Sequence, residues 1–294
     1  MREEEHKQLD FSIALQNKLK ESLGADLLKI EHHTFRKANI VIKGLIVKMK
    51  DSDIAPVIYP DELYEQYRQG LSIDTMINRF LDSYRHIDKN IADFNKETLM
   101  TNAYTVVINA DMNRELLKTV PHNIVAGNLA EVARFRVKSD AESNSSFLIT
   151  NEHLKHLHMI DDEVLEIAHK NTENQEYKLQ NLYKLTFDMM SDEESREIFE
   201  DEYKDDDVYV LTNKTNLDGA NVIASDRILK EVSEKIDSSF YVLPSSRHEL
   251  ILVPDKFNVD PKYLVQMVRE VNLTLKQKDF LSDDIYYYLS LIHI

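Results

Sequence analysis

The chain has 294 residues, 43% of them hydrophobic, enough for one large or two modest globular domains with a real core, and its 5 glycines and 6 prolines disfavour Gly-rich phosphate loops, collagenous repeats and long flexible linkers. It contains no cysteine, which removes disulfides, thiolate metal sites and cysteine nucleophiles together. A net charge of -16 repels phosphate backbones and leaves no basic footprint for a nucleic acid.

Met1 to His6 is charged and leads into an amphipathic pattern, and no apolar run approaches membrane-spanning length. These features predict a cytoplasmic protein without a membrane segment. Phe11, Leu15, Leu19 and Leu23 recur at four-residue steps before Gly24, the pattern of a helix that covers a sheet and stops in a left-handed turn. Extended segments are expected over about 27–35, 40–49 and 54–59. Ile73, Met76, Ile77, Phe80, Leu81 and Tyr84 then mark one buried helical stripe, entered after Gly70 with Ser72 as cap. The N-terminal region, residues 1–100, therefore reads α-β-β-β-α-α.

From Tyr104 the order becomes β-α-β-β-α. A strand at 104–109 precedes a short helix at 113–117, strands near 132–137 and 146–150, and a helix at 162–171. This first unit is assigned to residues 101–190. Residues 191–207 are read as a solvated acidic helix or linker, because Asp192 to Asp207 sets ten acidic residues against Arg196 and Lys204, a net charge of -8. The second unit, 208–288, opens with a strand at 208–212 that is expected to turn at Asp218-Gly219 into a hairpin partner at 221–224. Ser225 caps a helix over 226–236, strands follow at 240–243 and 249–253, and Asp260-Pro261 opens a helix carrying Tyr263, Leu264, Met267, Val268 and Val271. The order is again β-α-β-β-α, and Phe147 to Leu154 with Ile160-Asp161 resembles Ile251 to Phe257 with Val259-Asp260. The predicted fold class is α+β: small, mostly antiparallel sheets covered by helices, with two similar β-α-β-β-α units in the C-terminal two-thirds.

Ser245, Ser246, Arg247, His248 and Glu249 place a nucleophile, a base and an acid in one short segment. Successive residues entering a strand alternate faces, so His248 is not expected to reach Ser246 while Glu249 orients it. No Gly-x-Ser-x-Gly elbow exposes a serine. Pro244 to Glu249 is read instead as a turn between strands, with hydroxyls satisfying local amides. His153, His156 and His158 cluster beside Glu152, with His169 on the next helix, but only His153 and His156 share a helical face and no His-Glu-x-x-His motif is present. His32 and His33 alternate on a strand. Of the 14 tyrosines, Tyr59, Tyr64, Tyr67 and Tyr84 fall on stripes with Leu63, Ile77 and Phe80, so packing at the edge of the core explains them better than a stacking platform. No metal or cofactor is expected.

Several phrases carry a family resemblance. They are Val208-Tyr-Val-Leu-Thr-Asn213, Asp218-Gly219-Ala220, Tyr241-Val-Leu-Pro-Ser-Ser-Arg-His-Glu249 and Leu250-Ile-Leu-Val-Pro254. Further matches lie at Pro56-Val-Ile-Tyr59, Tyr64-Glu-Gln-Tyr67 with Gly70, and Pro121-His122 with Asn128-Leu129-Ala130. Together they resemble the domain-of-unknown-function family five-six-eight-eight, proteins of anaerobic Gram-positive gut bacteria, and the resemblance implies no activity, substrate or partner. It makes Pro244, Ser245, Ser246, His248 and Glu249 family-motif residues without an assigned role. Pro60 follows Tyr59 where the family pattern has leucine.

The leading expectation is a non-catalytic cytoplasmic interaction or accessory protein with a protein partner. The alternatives are a hydrolase using Pro244 to Glu249, or an acidic mimic of nucleic acid. Leu289 to Ile294 departs from the resemblance and matches a translated frame of a sequencing-library transposase end, so residues 289–294 are expected to be a non-native tail.

Overall fold

The computed structural model describes residues 2–50, 55–85, 94–139, 144–191, 196, 207–244 and 246–290. Its fold is mixed α+β, with small antiparallel sheets interspersed with helices. The chain forms two compact units, residues 1–91 and 92–294.

The first unit begins with α1 (Arg2–Leu23), whose Phe11, Leu15, Leu19 and Leu23 are all buried. Gly24 follows at φ +49, a left-handed turn that costs glycine little. Strands β1 (Leu27–Lys37), β2 (Ile40–Met49) and β3 (Val57–Ile58) form an antiparallel sheet in that order. Pro60 opens α2 (Pro60–Arg68), where its missing N–H costs no helical hydrogen bond. In α3 (Ile73–Arg85), Ser72 accepts the Thr75 N–H at 3.1 Å and caps the helix as its sequence predicts. Met76 and Ile77 of α3 join the α1 stripe and Leu45, Val47 and Met49 of β2 in one core. Tyr64 is buried there with its hydroxyl on Glu4, whereas His32 and His33 are exposed on the edge strand β1.

The second unit contains two sheets. Helix α4 (Lys96–Asn102), capped by Asn95, leads into β4 (Ala103–Asn109). Then come α5 (Arg114–Leu117), β5 (His122–Ala126), β6 (Leu129–Ser139) and β7 (Asn144–Leu148). The strand order is β4-β6-β5, with β7 also on β6. Two helices follow, α6 (Asn151–Leu157) and α7 (Asp161–Glu173), and Val164, Leu165 and Ala168 of α7 pack with Ala133 and Phe135 of β6.

The other sheet runs β12-β10-β11-β9-β8. It is built from β8 (Tyr177–Asn181), β9 (Tyr209–Asn213), β10 (Phe240–Leu243), β11 (Leu250–Pro254) and β12 (Tyr286–Tyr288). Three helices accompany it: α8 (Leu182–Met189), α9 (Asp226–Ile236) and α10 (Pro261–Asn272). Ser225 caps α9 and Asp260 caps α10, as expected from their positions before each helix. Strand β8 precedes the acidic stretch yet pairs with β9 beyond it, so this sheet starts well before residue 208.

Two predictions are corrected: the first expected β-α-β-β-α unit carries a further strand, β5, between α5 and β6, and the hairpin expected in the second is absent. Residues 221–224 are not a hairpin strand; Gly219–Ala224 is a 3₁₀ turn. Asp218 does take the left-handed conformation that Asp-Gly favours, at φ +54, but the chain then dives into the core instead of returning along β9. Asn221 is the anchor: its Nδ2 donates to the Thr105 carbonyl of β4 at 3.0 Å, and Gln175 Nε2 donates to its Oδ1 at 3.1 Å. A long-range tertiary hydrogen bond thus wins over the local turn signal. The same turn delivers Ala220 and Val222 to a core shared by both sheets, containing Val107, Leu129, Leu211, Phe240 and Leu250.

Most of the acidic segment, residues 192–195 and 197–206, lies outside the described residues. So do Ser245 and residues 291–294 of the expected non-native tail. Of the remaining tail residues, Ser290 donates its N–H to Ser239 Oγ at 3.0 Å. Among the described residues, no helix is long and apolar enough to cross a membrane.

Candidate functional site

The segment from Pro244 to Glu249 connects β10 to β11 and is held on several sides. The Ser282 N–H donates to the Pro244 carbonyl, the Arg247 N–H to the Asp279 carbonyl, and the Ala220 N–H to the Arg247 carbonyl. Thr212 Oγ1 donates to the His248 carbonyl at 2.7 Å. Gly219 is what permits this closeness, because a Cβ there would stand 2.0 Å from Thr212 Oγ1 and 2.5 Å from the His248 oxygen. Arg247 Nε donates to Asp218 Oδ1 at 2.6 Å, tying the segment to the 3₁₀ turn through a charge-assisted bond.

Within this frame the three chemistry-bearing side chains do not converge. Ser246 is buried, and its Oγ accepts the His248 backbone N–H at 3.0 Å, an ST-turn contact. The His248 ring is engaged at both nitrogens. Nδ1 accepts the Asp218 backbone N–H at 3.2 Å, and since an amide can only donate, the ring proton of neutral histidine is on Nε2, 3.3 Å from Asp279 Oδ1. A general base needs a free nitrogen lone pair aimed at the nucleophile. In His248 that lone pair is occupied by a backbone amide, and Ser246 faces a different donor.

Glu249 sits on the opposite face. It shares register parity with Ile251 and Val253, whereas His248 shares it with Leu250 and Leu252, which pack under α9. Glu249 lines a groove of about 810 Å³ between α8, the sheet and α10. Its walls include Leu182, Tyr183 and Thr186 of α8, Ile251 and Val253 of β11, and Tyr263, Met267 and Val271 of α10. The α10 stripe was expected to be one apolar face; only its Leu264 and Val268 are buried, while Tyr263 is 60% and Val271 45% exposed. The α8 side of the groove had no sequence signal beyond scattered apolar residues.

The clustered histidines do separate work. His153 Nδ1 accepts the Thr150 N–H in the capping box of α6, and its ring meets Phe94 and Phe147 edge-on. Burial pushes its pKa down, favouring the neutral ring that this acceptor role requires. His158 ends α6 in a left-handed conformation at φ +50, and His156 is exposed. His169 Nδ1 lies 2.8 Å from Oε1 of Glu131, a buried carboxylate on β6. Among the described residues, no group of three or more His, Asp or Glu side chains is placed to hold a metal ion.

The comparisons add kinship without chemistry. No curated protein and no solved structure matches the chain. A family model does match, over residues 9–290, which covers both compact units and the Pro244 to Glu249 segment. The chain belongs to the family of unknown function DUF5688.

Proposed function

We propose that this chain is a non-catalytic interaction or accessory protein that holds a protein partner in the groove over α10. The observation that carries this reading is the groove's lining: hydrophobic and aromatic walls with one carboxylate, the hydroxyls of Thr186, Tyr183 and Tyr263 and, among the described residues, no histidine, serine or lysine with which that carboxylate could form a reacting pair. Tyr263, Met267 and Val271 leave an apolar face open to solvent on an otherwise strongly acidic chain, the kind of surface that marks a contact site. A cysteine-free, acidic composition suits a reducing cytoplasm.

In organisation, residues 101–190 and 208–288 are read as two versions of one β-α-β-β-α unit. With the strands as predicted, β4, β6 and β7 against β9, β10 and β11, the central strand is the second in one unit and the third in the other; the two orders coincide only if β5 replaces β7, so that β4-β6-β5 is set beside β9-β11-β10.

Two measurements test the function. Affinity capture from the native host should enrich a partner on the wild type and lose it on Tyr263→Asp. The purified protein should turn over no generic ester, phosphoester or peptide substrate; turnover lost in both Ser246→Ala and His248→Ala would replace this reading with a hydrolase.

A further inference from the structure

The groove over α10 also carries information about its occupant, and this inference rests on the interaction reading. Among the described lining residues Glu249 is the single carboxylate, and it is half-buried, with no hydrogen bond or ion pair to any described residue. An apolar partner that closed over this carboxylate would strip its water and return nothing, an unfavourable exchange unless the partner brings a donor or a positive charge. The long-range field points the same way, because a net charge of -16 attracts cations to the surface.

Shape narrows the class further. Tyr263, Met267 and Val271 stand at i, i+4 and i+8 on α10, a stripe running about 12 Å along the helix axis. Phe257 adds a fourth partly exposed apolar side chain to the lining. An open stripe two turns long matches the i, i+3 or i+4, i+7 face of an incoming helix better than it matches a compact small molecule.

We propose that the groove binds a basic amphipathic helix, with its apolar face on Tyr263, Met267 and Val271 and a lysine or arginine on Glu249.

The test uses a designed Leu/Lys amphipathic peptide of about five helical turns, its Leu/Glu counterpart and a Leu/Lys isomer with scrambled order, titrated against the full chain by fluorescence anisotropy. The patterned Leu/Lys peptide should bind at least about tenfold tighter than either control. Glu249→Gln should remove roughly that tenfold preference over Leu/Glu, and Tyr263→Ser should weaken the patterned peptide by a similar factor. Glu152→Gln with Glu166→Gln removes two exposed charges on α6 and α7 and should leave the preference unchanged. Circular dichroism and unfolding midpoints matching wild type confirm that each variant is folded. Equal loss in the remote double variant, equal binding of the scrambled peptide, or indifference to Glu249→Gln would overturn the proposal. So would a concentration-dependent dimer that Tyr263→Ser dissociates, since the groove would then hold a second copy. Loss of charge preference alongside retained partner capture refutes only this inference, whereas serine- and histidine-dependent turnover refutes the interaction reading itself.

Discussion

The two faces of the β12-β10-β11-β9-β8 sheet carry similar amphipathic helices and are sealed to different degrees. On one face, α9 buries Ile228, Leu229, Val232 and Ile236. On the other, α10 buries Leu264 and Val268 and leaves Tyr263, Met267 and Val271 partly in solvent. The difference lies in what else arrives. Val107 and Leu129 of the β4-β6-β5 sheet join the α9 side, together with the 3₁₀ turn at Gly219–Ala224. Among the described residues, the α10 side receives α8 and the 257–259 segment at its margin and no second sheet, and a groove remains. An apolar stripe says which residues want burial; a third layer decides whether they get it.

The comparison is broken most forcefully by truncating one residue on each face. Phe240→Ala, fully buried under α9, is expected to cost about 3–5 kcal/mol of unfolding free energy. Tyr263→Ala on the open face should stay within about 0.5 kcal/mol. Chemical denaturation of both variants reads the contrast directly, and a large cost for Tyr263→Ala would mean that the α10 face is closed.

A smaller effect is expected where the sealed face meets the motif segment. Gly219→Ala should destabilise by about 1–3 kcal/mol, because its Cβ collides with backbone atoms of His248 and Asn213 as well as with Thr212 Oγ1. Adding Thr212→Ala should recover only part of the loss, since the two backbone contacts remain.

Asn221→Ala tests the polar link between the two sheets of the second unit. It removes the donor to the buried Thr105 carbonyl and the acceptor for Gln175, for an expected cost of about 1–3 kcal/mol. Ser246→Ala should cost about 1 kcal/mol or less, the value of one hydroxyl-to-amide contact in a turn. Thermal unfolding ranks the two, and Ser246→Ala exceeding Asn221→Ala would contradict the assignment of Ser246 to turn chemistry.

The smallest effect extends the comparison to the first unit, whose sheet carries an ion-paired carboxylate, Glu31, on β1. There Lys29, and after it Lys48, hold the Glu31 carboxyl down to about 2. A carboxylate lowered on folding contributes stability above its unfolded pKa and loses that contribution as pH falls through its folded value, so the window runs from about 4.5 down to about 2. The side chain is about a third exposed, solvent screens the pair, and the effect on unfolding is small. An NMR titration should place the Glu31 midpoint near 2 and show it rising in Lys48→Met.

How much of this was legible varies with the range of the interactions involved. The α1 stripe, the capped starts of α3, α9 and α10, and the antiparallel β1-β2 pair all follow from periodicity and local chemistry. Strands β5 and β8 were not read from the sequence: His122–Ala126 lacks an apolar alternation, Tyr177–Asn181 alternates through only two apolar residues, Tyr177 and Leu179, and both become strands through the neighbours they meet, β6 and β9. In the motif segment, alternation was enough to separate Glu249 from His248. It could not reveal that the His248 ring is occupied by the amide of Asp218, thirty positions earlier.

The sequence by itself determined the α+β class, the absence of cysteine chemistry, the acidic charge, the family, and which faces of the helices are apolar. These depend on composition and on spacing within a few residues, where covalent geometry ties pattern to structure. Only the tertiary structure decided that Asp218-Gly219 turns inward, that the His248 ring is taken by the distant Asp218 amide, and that the stripe on α10 stays open. Each of those outcomes is a competition between a local preference and a partner far away in the chain, and the distant partner's position is a property of the folded molecule as a whole.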